Sequence, residues 1–289
     1  MTDTPITSSV SHGTTSAEWL LYAGYAVLLA LACLGPHVPQ AAHYHDFADQ
    51  RALWGLRNAL DVLSNLPFAM VGALGLWRAV LQAPAAVRAS GALPWLALVF
   101  GGLLLTAAGS SYYHLMPDDW RVFWDRLGMV PVFAGVLGLA LQSVLSLRVA
   151  VVTAVLVLVL GPVSLWVWLQ TGQLLPWAVL QGAGMVLLLA VALWQHFSAA
   201  GVASAAGRVV WPWGAVVAWY ALAKVLELGD SFVWSISHHW VGGHALKHVA
   251  AALALVPLLL MVRRVRNAER QPGSAAGTIR PTLVQGPQP

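Results

Sequence analysis

The chain has 289 residues, of which 59% are hydrophobic and 9% charged, and its mean hydropathy is +0.72. Soluble domains carry about 25% charged residues, so these values exclude a soluble globular protein and point to a polytopic membrane protein. The formal charge of +4 does not indicate a nucleic-acid partner, because the basic residues gather in short loops and the C-terminal tail, as cytoplasmic segments do.

Residues 1–18 are polar and Ser/Thr-rich, which predicts a disordered N-terminus. They lack the basic start of a secretory signal, so 19–35 reads as a retained first membrane helix. Residues 36–57 form a polar extracytoplasmic loop with His43, His45, Asp46, Asp49, Arg51 and Arg57. Seven further apolar stretches follow, at about 58–82, 93–116, 126–147, 149–169, 175–197, 211–229 and 244–262. Each is near the ~20 residues that span a bilayer as a helix. Strands of a membrane barrel would be about half as long and alternating. The predicted fold is therefore all-α. It is a polytopic transmembrane helix bundle, with a seven-helix core over 58–262 and one additional N-terminal helix. Residues 263–289 begin with Arg263, Arg264, Arg266 and Arg270 and read as a disordered basic tail. Cys33 is the single cysteine, which excludes an intrachain disulfide and a thiolate metal cluster.

Eight spans put both termini on one face. That face holds Arg78, Arg88, Arg148, Arg208 and the tail arginines. The opposite face dilutes Arg51, Arg57, Arg121 and Arg126 with five aspartates. Both termini are therefore expected in the cytoplasm. The Ala/Val/Leu/Arg bias suits a GC-rich bacterial source, hence an inner membrane.

Ionisable groups at the ends of membrane helices are costly and mark functional candidates. Three motifs carry them: Ser110 with Tyr113-His114, then Trp124-Asp125-Arg126, then His244 with Lys247-His248. By counting spans, all three fall at one leaflet. Ser110 and His114 are four apart and share a helix face, as do His244 and His248. Two histidines at this spacing bind one metal ion from successive turns. His114 would complete a three-imidazole set, which suits zinc and leaves a position for water. Taken singly, each residue has a plainer reading. Ser110 is a small helix-packing residue, and Asp125 is an N-cap.

At these residues the chain resembles the alkaline ceramidase family, within the superfamily that also holds the adiponectin- and progestin-type receptors. The likeness rests on Ser110, His114, Asp125, His244 and His248, on Trp124 to Met129, and on Asp61 to Phe68. It spans about 43–262. The resemblance implies a zinc-dependent amidase that cleaves the N-acyl bond of a ceramide-like membrane lipid. It would assign His114, His244 and His248 to zinc. It would place Ser110 and Asp125 beside the water that zinc activates. Family members of eukaryotes carry an acidic calcium-binding segment. The corresponding candidates here are Asp46, Asp49, Asn58 and Asp61, with fewer acids than the family pattern.

Lys224, Glu227 and Asp230 lie in or beside the seventh apolar stretch counted from the first helix. They read as a neutralising intramembrane pair with a neighbour, or as polar lining for a lipid headgroup. Lys247, between the two final histidines, is expected to face away toward the interface. The alternative function is a receptor or transporter with a structural zinc site. Asp125 discriminates, since a structural site needs closure by protein ligands whereas a catalytic one keeps water and an acid nearby.

Overall fold

The computed structural model describes residues 14–202 and 209–271. The expected disorder of most of 1–18 and of the end of the tail, together with Arg208, falls outside the described residues. The regular elements of the described residues are all helices, without strands. Among the described residues seven helices are long and apolar enough to cross a membrane, one fewer than the eight spans expected, since the helix in the 211–229 stretch is not among them. The molecule is an all-α integral membrane protein.

Helix α1, Ser16–Leu34, opens on a capping box between Thr15 and Glu18. Glu18 is its one buried residue. The carboxylate of Glu18 accepts from the Ser146 hydroxyl at 2.5 Å, and the Tyr25 and Thr153 hydroxyls meet at 2.6 Å. These polar ties hold a helix whose remaining surface is apolar and exposed. In a bilayer that surface faces lipid.

The second span, Ala59–Leu81, is not one regular helix. It consists of α2 (Ala59–Leu63), α3 (Leu66–Gly75) and a π-helical end (Leu76–Leu81). The break at Ser64-Asn65 has a local cause. Pro67 has no N–H to donate to the carbonyl four residues back, and the Asn65 amide instead donates to the Asp61 carbonyl at 2.9 Å. A short helix, α4 (Ala85–Ala89), leads to α5 (Leu93–Leu115).

Helices α5, α6 (Asp119–Val144) and α7 (Leu147–Thr171) form the packed centre. Helix α6 begins seven residues before the expected start of its apolar stretch at 126, with Asp118 as N-cap. Asp125 therefore sits inside the helix, and the N-cap reading is wrong. The hydrophobic stretch begins later than the helix because Asp119, Arg121 and Asp125 interrupt the apolar residues of its first two turns. Pro162 lies within a continuous α7. On its outer side, Val151, Val155, Val159 and Val163 form an exposed stripe at helical spacing. Such a stripe suits lipid contact.

Helix α8 (Leu175–Val202) precedes α9 (Trp213–Leu228). At 16 residues α9 is about 24 Å long, short of the ~30 Å hydrocarbon core. The small helix α10 (Asp230–Ile236) follows it after Gly229. The last span is broken at Ala254-Leu255 into α11 (Gly243–Leu253) and α12 (Val256–Arg270), with Pro257 just after the break. Helix α12 continues through Arg263, Arg264 and Arg266 to Arg270, so the first eight residues of the expected disordered tail are helical.

Candidate metal centre

His114 ends α5, and His244 and His248 occupy the first two turns of α11. All three are buried. Their ligand atoms lie within 4.8 Å of one another, although 130 residues separate His114 from His244. The Nε2 atoms of His114 and His244 are 3.3 Å apart. Two imidazole nitrogens about 2.05 Å from one tetrahedral ion lie about 3.3–3.4 Å apart. The donor set and this separation fit a bound metal ion. Among the described residues, the triad is the one cluster of His, Cys, Asp or Glu close enough to share an ion.

Close helix packing builds the rest of the site. Gly109 and Gly128 bring the backbones of α5 and α6 into contact, where any side chain would collide with a facing carbonyl. Ser110 is thereby buried one turn before His114, with its hydroxyl beside the Asp125 carboxylate. Arg126, next in sequence, turns elsewhere. Its guanidinium lies between the Tyr44 and Trp168 rings and donates to the Gln40 side chain at 2.7 Å.

At the start of α11, Gly242 and Gly243 offer no side-chain cap. Asp230 supplies it from α10. Its Oδ1 accepts from the His244 N–H at 2.9 Å, while Oδ2 accepts from the Ala48 N–H at 2.9 Å. A Cβ on Gly243 would come within 2.3 Å of the Leu226 carbonyl, so this approach needs glycine. Asp230 thus binds a helix start to the 36–57 loop. A cap supplied by a distant residue leaves no local pattern, so this role is not legible from the sequence.

Lys224 and Glu227 form the expected pair, at 2.6 Å. The expectation for Lys247 fails. Its ammonium turns into the bundle and meets the other Glu227 oxygen at 2.7 Å, with the side chain 18% exposed. An unpaired ammonium costs much in a membrane interior, so the shared carboxylate decides the direction. Lys247 becomes one of the charges within reach of Asp125.

The four calcium candidates do not assemble. Asp46 is exposed and pairs with His43 at 2.8 Å. Both oxygens of buried Asp49 accept from Arg51. The Asn58 amide donates to the His114 carbonyl at 2.9 Å. Asp61 alone has both carboxylate oxygens buried without a hydrogen-bond partner. Calcium requires six to eight oxygens, and this set does not fit it.

The loop 36–57 covers the triad. Phe47, buried, lies 4.8 Å from the His114 ring and 4.3 Å from the His244 ring, centre to centre. His45 fixes the same loop through the Tyr113 hydroxyl at 2.9 Å and Asp119 at 3.1 Å. His238 and His239 are exposed and away from the triad. No protein-family model, curated protein or solved structure matches the chain.

Proposed function

We propose that the chain is a membrane-embedded, zinc-dependent hydrolase that cleaves the N-acyl amide bond of ceramide-like lipids and releases a fatty acid. The observation that carries this reading is the convergence of three buried imidazoles one turn from a Ser110–Asp125 pair. A structural zinc site is closed by four protein ligands. Among the described residues only three converge here, which supports hydrolysis over a receptor or transporter with a structural ion.

Held by His114, His244 and His248, a zinc ion would supply Lewis acidity, enough to polarise an acyl carbonyl and to lower the pKa of water toward neutrality. The protein residues do the rest. Asp125 accepts a proton from the attacking water and returns it to the leaving amine, as a positioned acid–base group does. Ser110, beside that carboxylate, can donate to it and orient it. A rotation about its χ1 would let the same hydroxyl donate to a developing oxyanion instead. Lys247 and Glu227 give the site a charged wall, and Phe47 of the loop packs on the His114 and His244 rings. The acyl chain enters from the bilayer side of the bundle. With α9 crossing as the eighth span, both termini lie on the cytoplasmic side of a bacterial inner membrane, and the site lies toward the extracytoplasmic leaflet.

Metal analysis of the purified chain tests the centre, and fatty-acid release from a panel of N-acyl lipids tests the reaction. Wild type should hold one zinc per chain and cleave ceramide or another N-acyl lipid. His114→Ala, His244→Ala and His248→Ala should each lose most of the metal and the activity. Full zinc stoichiometry in all three variants would end this assignment.

A further inference from the structure

Ser64 has no role in the chemistry described so far, and its span contributes no imidazole to the triad. It sits on the break between α2 and α3, where Pro67 interrupts the helix. Its Oγ lies 2.8 Å from Nδ1 of His248 and 3.0 Å from the carbonyl oxygen of Asp61. A serine hydroxyl has one proton to donate and two lone pairs. A carbonyl can only accept. The hydroxyl proton therefore goes to the Asp61 carbonyl, and Oγ accepts from the Nδ1–H of His248. That leaves Nε2 of His248 unprotonated.

We propose that Ser64 is a positioning residue for the metal centre: it holds His248 in the Nδ1–H tautomer and keeps Nε2 as the metal-binding nitrogen. The proposal rests on reading the triad as a metal site. Outer-nitrogen partners of this kind fix ring orientation and tautomer in metal centres. The triad is uneven in this respect, because the outer nitrogen of His114 is buried without a partner. His114 is held through its backbone instead. Asn58, six residues before Ser64, donates from its side chain to the His114 carbonyl at 2.9 Å. The segment Asn58–Ser64 therefore touches both halves of the centre, the end of α5 and the first turns of α11. A span without a ligand sets how the ligands meet. The arrangement depends on the helix break, since a regular α-helix through residues 59–75 would have no gap at Ser64.

Zinc affinity of the purified full-length chain, read by competition with a chromophoric chelator, tests this. Ser64→Ala removes the acceptor. Ser64→Thr keeps a hydroxyl, and Ser64→Val matches threonine in shape without it. Loss of an outer-shell partner costs about 10- to 100-fold in metal affinity. Ser64→Ala should weaken zinc by that factor, with the unfolding midpoint of the metal-free protein close to wild type. Ser64→Thr should bind at least about tenfold more tightly than Ser64→Val by the same reasoning. That comparison decides even if the alanine variant does not fold. Affinity in Ser64→Ala within about twofold of wild type, or threonine and valine variants of equal affinity, would overturn the proposal. His248→Ala separates the two ideas. If that variant binds zinc as tightly as wild type, the triad itself is not the site. If it loses zinc while the serine variants do not, only the role of Ser64 falls.

Discussion

Gly109 of α5 lies directly on the backbone of Trp124 in α6. A Cβ built there would stand 2.3 Å from the Trp124 carbonyl oxygen and 3.3 Å from the Cα of Asp125. The glycine is what lets Ser110, the next residue, reach the carboxylate of Asp125. Gly109→Ala must push the two helices apart by about 1 Å, and such overpacking costs about 1–3 kcal/mol. A displacement of that size can cost about 10² in rate. The expected result is a lowered unfolding midpoint in detergent and lipid-amide hydrolysis on the order of 10² slower. Gly101 on the same helix faces open space. Gly101→Ala should leave both measurements unchanged, and equal effects at the two positions would rule out this account.

Arg51 is one of the groups that pin the loop over the site. Arg51 grips both oxygens of buried Asp49, donates to the Trp240 carbonyl at 2.9 Å, and lies 4.6 Å from the Trp234 ring centre. Removing the guanidinium takes the counter-charge and two hydrogen bonds from a buried carboxylate and leaves it only the backbone N–H of residue 51, which costs about 1–3 kcal/mol. Arg51→Ala should lower the unfolding midpoint. Arg51→Lys should restore little, since an ammonium cannot make the forked contact. Because the candidate oxygen donors do not gather, calcium chelation should leave the wild-type midpoint unchanged. A large drop on chelation would contradict that geometry.

Orientation has its own test. Cys33 is replaced first, and single cysteines are placed at Trp54, 94% exposed in the loop, and at Gln271, just past α12. The arginine asymmetry predicts that a membrane-impermeant thiol reagent on intact cells labels position 54 but not 271. The reverse pattern inverts the topology. Labelling of both from outside would mean that the 16-residue α9 does not cross.

The helical architecture was legible because each apolar stretch is long and nearly free of charge. Its edges were not. Hydropathy placed the start of α6 at 126 because Asp118, Asp119, Arg121 and Asp125 hide its first two turns, and it ended the last helix at 262 because four arginines follow. Helix spacing put His244 and His248 on one face, and counting spans put His114 at the same leaflet. Both inferences need only period and parity. Ser64 and Asp230 left no such trace, since a partner for an imidazole or a cap for a helix is chosen by folding. The direction of Lys247 was misread for a related reason. Its partner Glu227 is 20 residues away on another helix, and no local rule reports such a pairing.

Asp125 gives the most discriminating result. It lies inside α6, beside Ser110, and it is not part of the converging triad. If it moves protons during amide cleavage, Asp125→Asn keeps its shape and its contact with the Ser110 hydroxyl but removes its basicity. General-base assistance contributes about 10² to 10⁴ in rate. The variant should therefore retain zinc at close to one equivalent while hydrolysing its best N-acyl lipid on the order of 10² more slowly. Ser110→Ala should slow hydrolysis less, because the carboxylate survives and loses only its orienting partner. Zinc loss in Asp125→Asn would make the carboxylate a ligand or a support for one. Full activity in that variant would leave the Ser110–Asp125 pair as helix packing alone, and the triad would then read better as the structural ion site of a receptor or transporter.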